Sequence, residues 1–186
     1  MDLHNRIYKN VLGVVAGVAA LAGLIGAAAT QAPVGNFASN TVDIGIVVSD
    51  IEKSAAFYSH AIGSTEVKGF DVPAEMGGGA GLTDNKAFHV RVFVLGDAKE
   101  ATRLKVMQFS DAPGKKPDNT FIHSMYGVRY LTIHVKDLNA ALERAKKAGV
   151  TALAKGPYEI PWAKGTAIAL VRDPDGNMIE LVGPMK

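Results

Sequence analysis

The sequence predicts an α+β fold in which two βαβββ modules pair around a shared concave cleft, preceded by an N-terminal hydrophobic helix. Three observations predict it: a β-α-β-β-β succession that occurs twice, strand runs with alternating side chains, and a composition suited to one sizeable core. Of the 186 residues, 48% are hydrophobic and 20% charged, the balance of a folded domain rather than a disordered chain. The net charge of +2 is spread over interspersed residues with no long basic run, which argues against nucleic acid as a partner. Cysteine is absent, so disulfides, thiolate metal sites, a cysteine nucleophile and a lipid-modified cysteine anchor are excluded. Any metal is left to His, Asp, Glu or neutral oxygen donors.

Residues 1–32 stand apart from the rest. Arg6 and Lys9 precede an uncharged stretch from Val11 to Ala29, followed by Thr30-Gln31-Ala32-Pro33. This order of basic, apolar and small regions reads as a secretory signal, with Ala27-Ala28-Ala29 as an A-x-A cleavage site. A retained membrane anchor is the alternative, because an uncharged run of roughly 18 or more residues can span a bilayer. A buried core helix is a third reading. The first two place the domain outside the cytoplasm, either periplasmic or extracellular or anchored to the inner membrane. Residues 33–40 form a polar, Gly-containing linker. Residues 41–186 are then the domain, with module 1 over 41–110, a connection over 111–126 and module 2 over 127–184.

Module 1 opens with the β-rich run Val42-Asp43-Ile44-Gly45-Ile46-Val47-Val48. Ser49 and Glu52 have capping-box spacing for a helix that closes at Gly63, a residue suited to the left-handed position after a helix. Strand-like runs follow at Thr65 to Phe70, Phe88 to Leu95 and Arg103 to Phe109. Module 2 repeats the order with Arg129 to Val135, a helix capped by Asp137 and closed at Gly149, and runs at Thr151 to Ala154, Thr166 to Val171 and Met178 to Val182. The shift that superposes Asp50 on Asp137 also places Asp43 on Tyr130. One such unit covers a single face of its sheet with its own helix, so two copies pair to share the other.

Two stretches carry a family resemblance. Ile46-Val47-Val48-Ser49-Asp50-Ile51-Glu52-Lys53-Ser54-Ala55-Ala56-Phe57-Tyr58 with Gly63, and Asp173-Pro174-Asp175-Gly176-Asn177-Met178-Ile179-Glu180-Leu181, resemble the opening and closing motifs of vicinal oxygen chelate proteins, the glyoxalase, bleomycin-resistance and dioxygenase group. The resemblance covers about residues 41–184.

Strand alternation assigns the faces. Val42, Ile44, Ile46 and Val48 pack on the helix, leaving Asp43, Gly45 and Val47 towards the cleft. Leu131, Ile133 and Val135 likewise turn to the second helix, and Tyr130, Thr132 and His134 turn inward. Val90, Val92 and Val94 read as the packing side of their strand, with His89, Arg91 and Phe93 facing the cleft. In the last strand Ile179 and Leu181 pack on the helix, sending Met178, Glu180 and Val182 inward.

The resemblance implies a divalent metal (Mg, Mn, Ni or Zn) held by side chains from the first and last strands of each module, often His with Glu. Carried over by motif, the ligand positions are Asp43, Gln108, Tyr130 and Glu180, of which Glu180 matches the family pattern directly. Asp43 and Tyr130 stand where His or Gln, and His, are usual. Asp43 and Glu180 therefore read either as ligands or as hydrogen-bonded carboxylates without metal, and Tyr130 as a substrate contact. His134 is a candidate general base beside Glu180, or else a structural histidine. His89 and Arg91 suit an anionic substrate or a partly exposed strand surface, and Phe93 lines the cleft with them. Trp162, between Pro161 and Ala163, is an aromatic flap over the cleft or a plug at its edge. His60 complements a helix dipole, and His123 lies at the surface of the connection. Gly77 to Gly79 and Gly81 lack the Lys-Ser/Thr pair of a phosphate loop and read as a mobile lid.

Three functions fit these residues: a metal-assisted lyase or isomerase of glyoxalase type, a metal-free protein that binds or sequesters a small molecule, and an anchored accessory subunit. A 2-His-1-carboxylate iron site is disfavoured, since the aligned positions offer Asp, Tyr and Glu. The resemblance further implies a homodimer.

Overall fold

The computed structural model describes residues 35–39, 41–96 and 101–186. The N-terminal segment read as signal or anchor lies outside the described residues. Among those residues no helix is long and apolar enough to cross a membrane. Ala38–Lys186 forms one compact unit.

In module 1 the chain runs β1 (Ile44–Val47), α1 (Ile51–Ala56) with a π-helical extension (Phe57–Ile62), β2 (Thr65–Val72), α2 (Ala74–Gly79), β3 (Phe88–Val94) and β4 (Arg103–Met107). Module 2 follows with β5 (Tyr130–His134), α3 (Leu138–Lys147), β6 (Tyr158–Glu159), β7 (Thr166–Arg172) and β8 (Met178–Pro184). Each module makes one four-stranded sheet, in the orders β1-β4-β3-β2 and β5-β8-β7-β6. The predicted two-module α+β architecture is thus what the chain adopts.

Both module helices begin on an aspartate. Asp50 accepts from the backbone N–H of Glu52 and Lys53, and Asp137 accepts from that of Ala140. The cap of α1 is therefore Asp50 and not Ser49, whose own N–H donates to Asp175 Oδ2 over 3.1 Å. Gly63 ends the extension at φ 82°, the left-handed geometry predicted for it.

Two further expectations are corrected. The run 151–154 forms no strand: Ala154 turns the chain at φ 51°, and the fourth strand of the sheet starts only at Tyr158. Glycines 77–79 belong to α2, not to an open lid. A Cβ on Gly77 would come within 2.6 Å of Thr83 Oγ1, so the helix and the loop after it close together only because that carbon is missing.

One apolar core lies on the helix side of both sheets and joins Phe57, Tyr58, Phe93, Leu104 and Val106 of module 1 to Leu138, Ala169, Ile179 and Leu181 of module 2. Ile44, Ile46 and Leu131 pack against it, as alternation predicted for β1 and β5. Strand β3 is reversed. Phe93 is fully buried in this core, whereas Val90 and Val92 form a separate small cluster with Val67, Val72 and Phe88 on the other face. Polar contacts also tie the modules together: Arg144 of α3 donates to the carbonyls of Ala61 and Ile62 over 3.2 and 2.7 Å.

Candidate functional site

Strand register builds the concave face. Parallel pairing of β1 with β4 sets Gly45 beside Lys105 and Val47 beside Met107; parallel pairing of β5 with β8 sets Thr132 beside Glu180 and Tyr130 beside Met178. Lys105 Nζ lies 2.9 Å from Asp43 Oδ2, and this hydrogen bond holds the Asp43 carboxyl below the usual carboxylate range. Asp43 is therefore ionised at neutral pH and already has its counter-ion. In module 2, Thr132 Oγ1 donates to Glu180 Oε1 over 2.8 Å. At the seam between β1 and β5, a crevice of about 240 Å³ is lined by Gly45, Val47, Tyr58, Tyr130 and Met178.

The repeat gives these pairs their meaning. A shift that lays Asp43 on Tyr130 also lays Gly45 on Thr132, so their register partners, Lys105 and Glu180, are equivalent residues of the two modules. Lys105 therefore stands where a duplicated site would repeat the Glu180 carboxylate.

Other predicted residues are placed differently from one another. Gln108 is corrected: it lies beyond β4, where its Oε1 accepts from Ile51 N–H and its Nε2 donates to Ser49 O, both over 3.0 Å, so it braces the start of α1. Arg91 and Phe93 are corrected as well, because both turn to the helix face. Arg91 holds Glu66 through Nε (2.7 Å) and Nη2 (2.8 Å), and reaches Glu52 of α1 through Nη1 over 3.0 Å. Those carboxylates raise the Arg91 guanidinium above its ordinary value, and the Arg91 hydrogen bond lowers Glu66. His89 shares that face, with Nδ1 2.7 Å from Asp71 Oδ1 in an exposed pair. Tyr130 is half-exposed on the concave face, and His134 is exposed on the same face of β5, two residues beyond Thr132. Trp162 is 88% exposed on the turn between β6 and β7, with its ring unpacked. Lys105 is the site residue that sequence reasoning passed over, while Thr132 was turned to the cleft by alternation but given no role. The repeat could have pointed to Lys105 only if the β1–β4 register had been known.

A profile of the Glyoxalase/Bleomycin resistance protein/Dioxygenase superfamily matches residues 40–181. The chain belongs to that superfamily. A solved glyoxalase family protein from Bacillus cereus is similar at 17% identity and TM-score 0.66, with 84% of this chain and 100% of that one covered. A glyoxalase/bleomycin resistance protein/dioxygenase domain from Frankia sp. EAN1pec aligns at 17% identity and TM-score 0.57, covering 80% and 93%. The trypanothione-dependent glyoxalase I of Leishmania major aligns at 23% identity and TM-score 0.52, covering 76% and 84%. A search of curated proteins finds no match. At these identities the likeness concerns the fold.

Within the superfamily fold, the residues of this chain do not fit the expected divalent ion. An ammonium occupies the position equivalent to Glu180, and it neutralises Asp43, one of the implied ligands. Gln108, another of them, is committed to backbone partners. Among the described residues no three His, Asp or Glu side chains gather as a metal-binding group.

Proposed function

We propose that the chain is an exported member of the superfamily that holds a small molecule against its concave face without a divalent metal, using the Lys105 ammonium as the positive charge that meets a ligand oxygen. The observation that carries this reading is the 2.9 Å pair between Lys105 and Asp43, formed at the position that matches Glu180. Asp43 occupies one ammonium hydrogen and orients the group, leaving further N–H donors for a ligand. Beside it, Val47 and Tyr130 are both about half-exposed along the seam and would face the apolar body of the bound molecule.

Thermal denaturation of the full-length protein with Mg, Mn, Ni or Zn tests the absence of a metal. An ion present at 100 times its Kd would stabilise the native state by about 2.7 kcal/mol, which in a domain of this size raises Tm by roughly 5–10 °C. The expected shift is under about 1 °C for all four ions. A rise of several degrees with any of them, removed in Glu180→Ala, would overturn the reading.

Export rests on the basic, apolar and small-residue order of residues 1–32. Intact mass of the protein from its native source should then correspond to a chain cut after Ala29, and a mass starting at Met1 would contradict cleavage.

A further inference from the structure

On the helix side, away from the concave face, a groove of about 670 Å³ opens between the first helix and the C-terminal end of α3. Its size falls within the range of roughly 300–1,000 Å³ typical of small-molecule sites. The floor is apolar, formed by Ala56, Phe57 and Val150. Around it stand Lys53, His60, Arg144 and Lys147, against a single acidic residue, Asp173. That carboxylate is already consumed: it accepts from Tyr58 Oη, from Asn177 Nδ2, and from the backbone N–H of Asp175 and Asn177. It has little capacity left to neutralise the lysines. Arg144 is fixed by its bonds to Ala61 O and Ile62 O, which leave its Nη1 without a partner among the described residues. Among the described residues Lys53, itself exposed, pairs only with Asp50, a contact of the kind that contributes little and exchanges readily.

We propose that this groove is a second binding site, for a small soluble organic anion: a carboxylate or phosphate carried on an apolar or aromatic group. Phe57 and Val150 would cover the apolar part, and Lys147, Lys53 and Arg144 would take the anionic end. The site is formed by both modules, with the first helix on one wall and α3 on the other. It does not depend on the reading of Lys105, which lies on the opposite face of its sheet.

Calorimetric titration of the full-length protein with phenyl phosphate tests it. Binding is expected to weaken about tenfold or more in Lys147→Glu and in the Lys53→Glu/Lys147→Glu double variant, and to change less than about twofold in Lys105→Gln. Inorganic phosphate, which lacks the apolar part, should bind at least about tenfold more weakly than phenyl phosphate. No binding, equal binding of the two phosphates, or a loss that follows Lys105→Gln instead would overturn the proposal. Co-sedimentation with phosphatidylserine vesicles that disappears in Lys147→Glu would also overturn it, by assigning the groove to a membrane surface.

Discussion

Asp173→Ala is expected to destabilise the fold by about 3–5 kcal/mol, because it leaves several buried donors unpaired at about 1–3 kcal/mol each. Asp173 is only 4% exposed, and four donors converge on it: Tyr58 Oη at 3.0 Å, Asn177 Nδ2 at 2.8 Å, and the N–H groups of Asp175 and Asn177 at 3.0 and 2.8 Å. Tyr58 is itself completely buried, and burial pushes its phenol far above the ordinary value, so it remains a neutral donor throughout. Alanine would leave that hydroxyl and two backbone N–H groups without partners in the turn before β8. A fall in Tm of roughly 10 °C should be seen by circular dichroism. Tyr58→Phe keeps three of the four bonds and should cost less, about 1–2 kcal/mol. Equal Tm values for Asp173→Ala and the unsubstituted protein would show that the inter-module bond carries no stability.

Phe93→Ala is expected to cost a similar amount, about 3–5 kcal/mol, through lost burial and the cavity left behind. Its ring is fully buried and sits 6.1 Å from that of Tyr58, which in turn meets Phe57 edge-on at 5.1 Å. Truncation would remove one end of this aromatic row, beside the cross-strand neighbour Leu104 in the same core. A cleft-facing Phe93 predicts the opposite pattern, with stability kept and ligand binding lost. Denaturant unfolding separates the two, since a midpoint within error of the parent would favour the cleft-facing residue.

The succession of elements was readable because each turn and cap carries its own chemistry. Asp137 and Gly149 bound their helix from local signals alone, whereas the capping-box spacing of Ser49 and Glu52 set the start of the first helix one residue before its true cap, Asp50. The faces were harder. Alternation separates two faces but does not say which one meets the helix, and β3 is apolar enough on both sides to mislead. Its valines suggest a core, yet Arg91 can join the helix side because Glu52 and Glu66 are there to receive it. The site was least legible where it depends on pairing between strands. Gln108 was carried over by motif from the family resemblance, whereas the ligand-equivalent position follows from the β1–β4 register, which no local pattern encodes.

The opposite charges at Lys105 and Glu180 have a consequence for what the cleft accepts. A duplicated fold with identical residues in both halves would have an approximate two-fold axis, and a ligand could enter it equally well in either of two orientations. Here that symmetry survives in the backbone and is broken electrically: one half presents an ammonium and the other a carboxylate at the same structural address. The cleft consequently has a polarity, and turning a bound molecule end for end would bring like charges together wherever its own ends differ in sign.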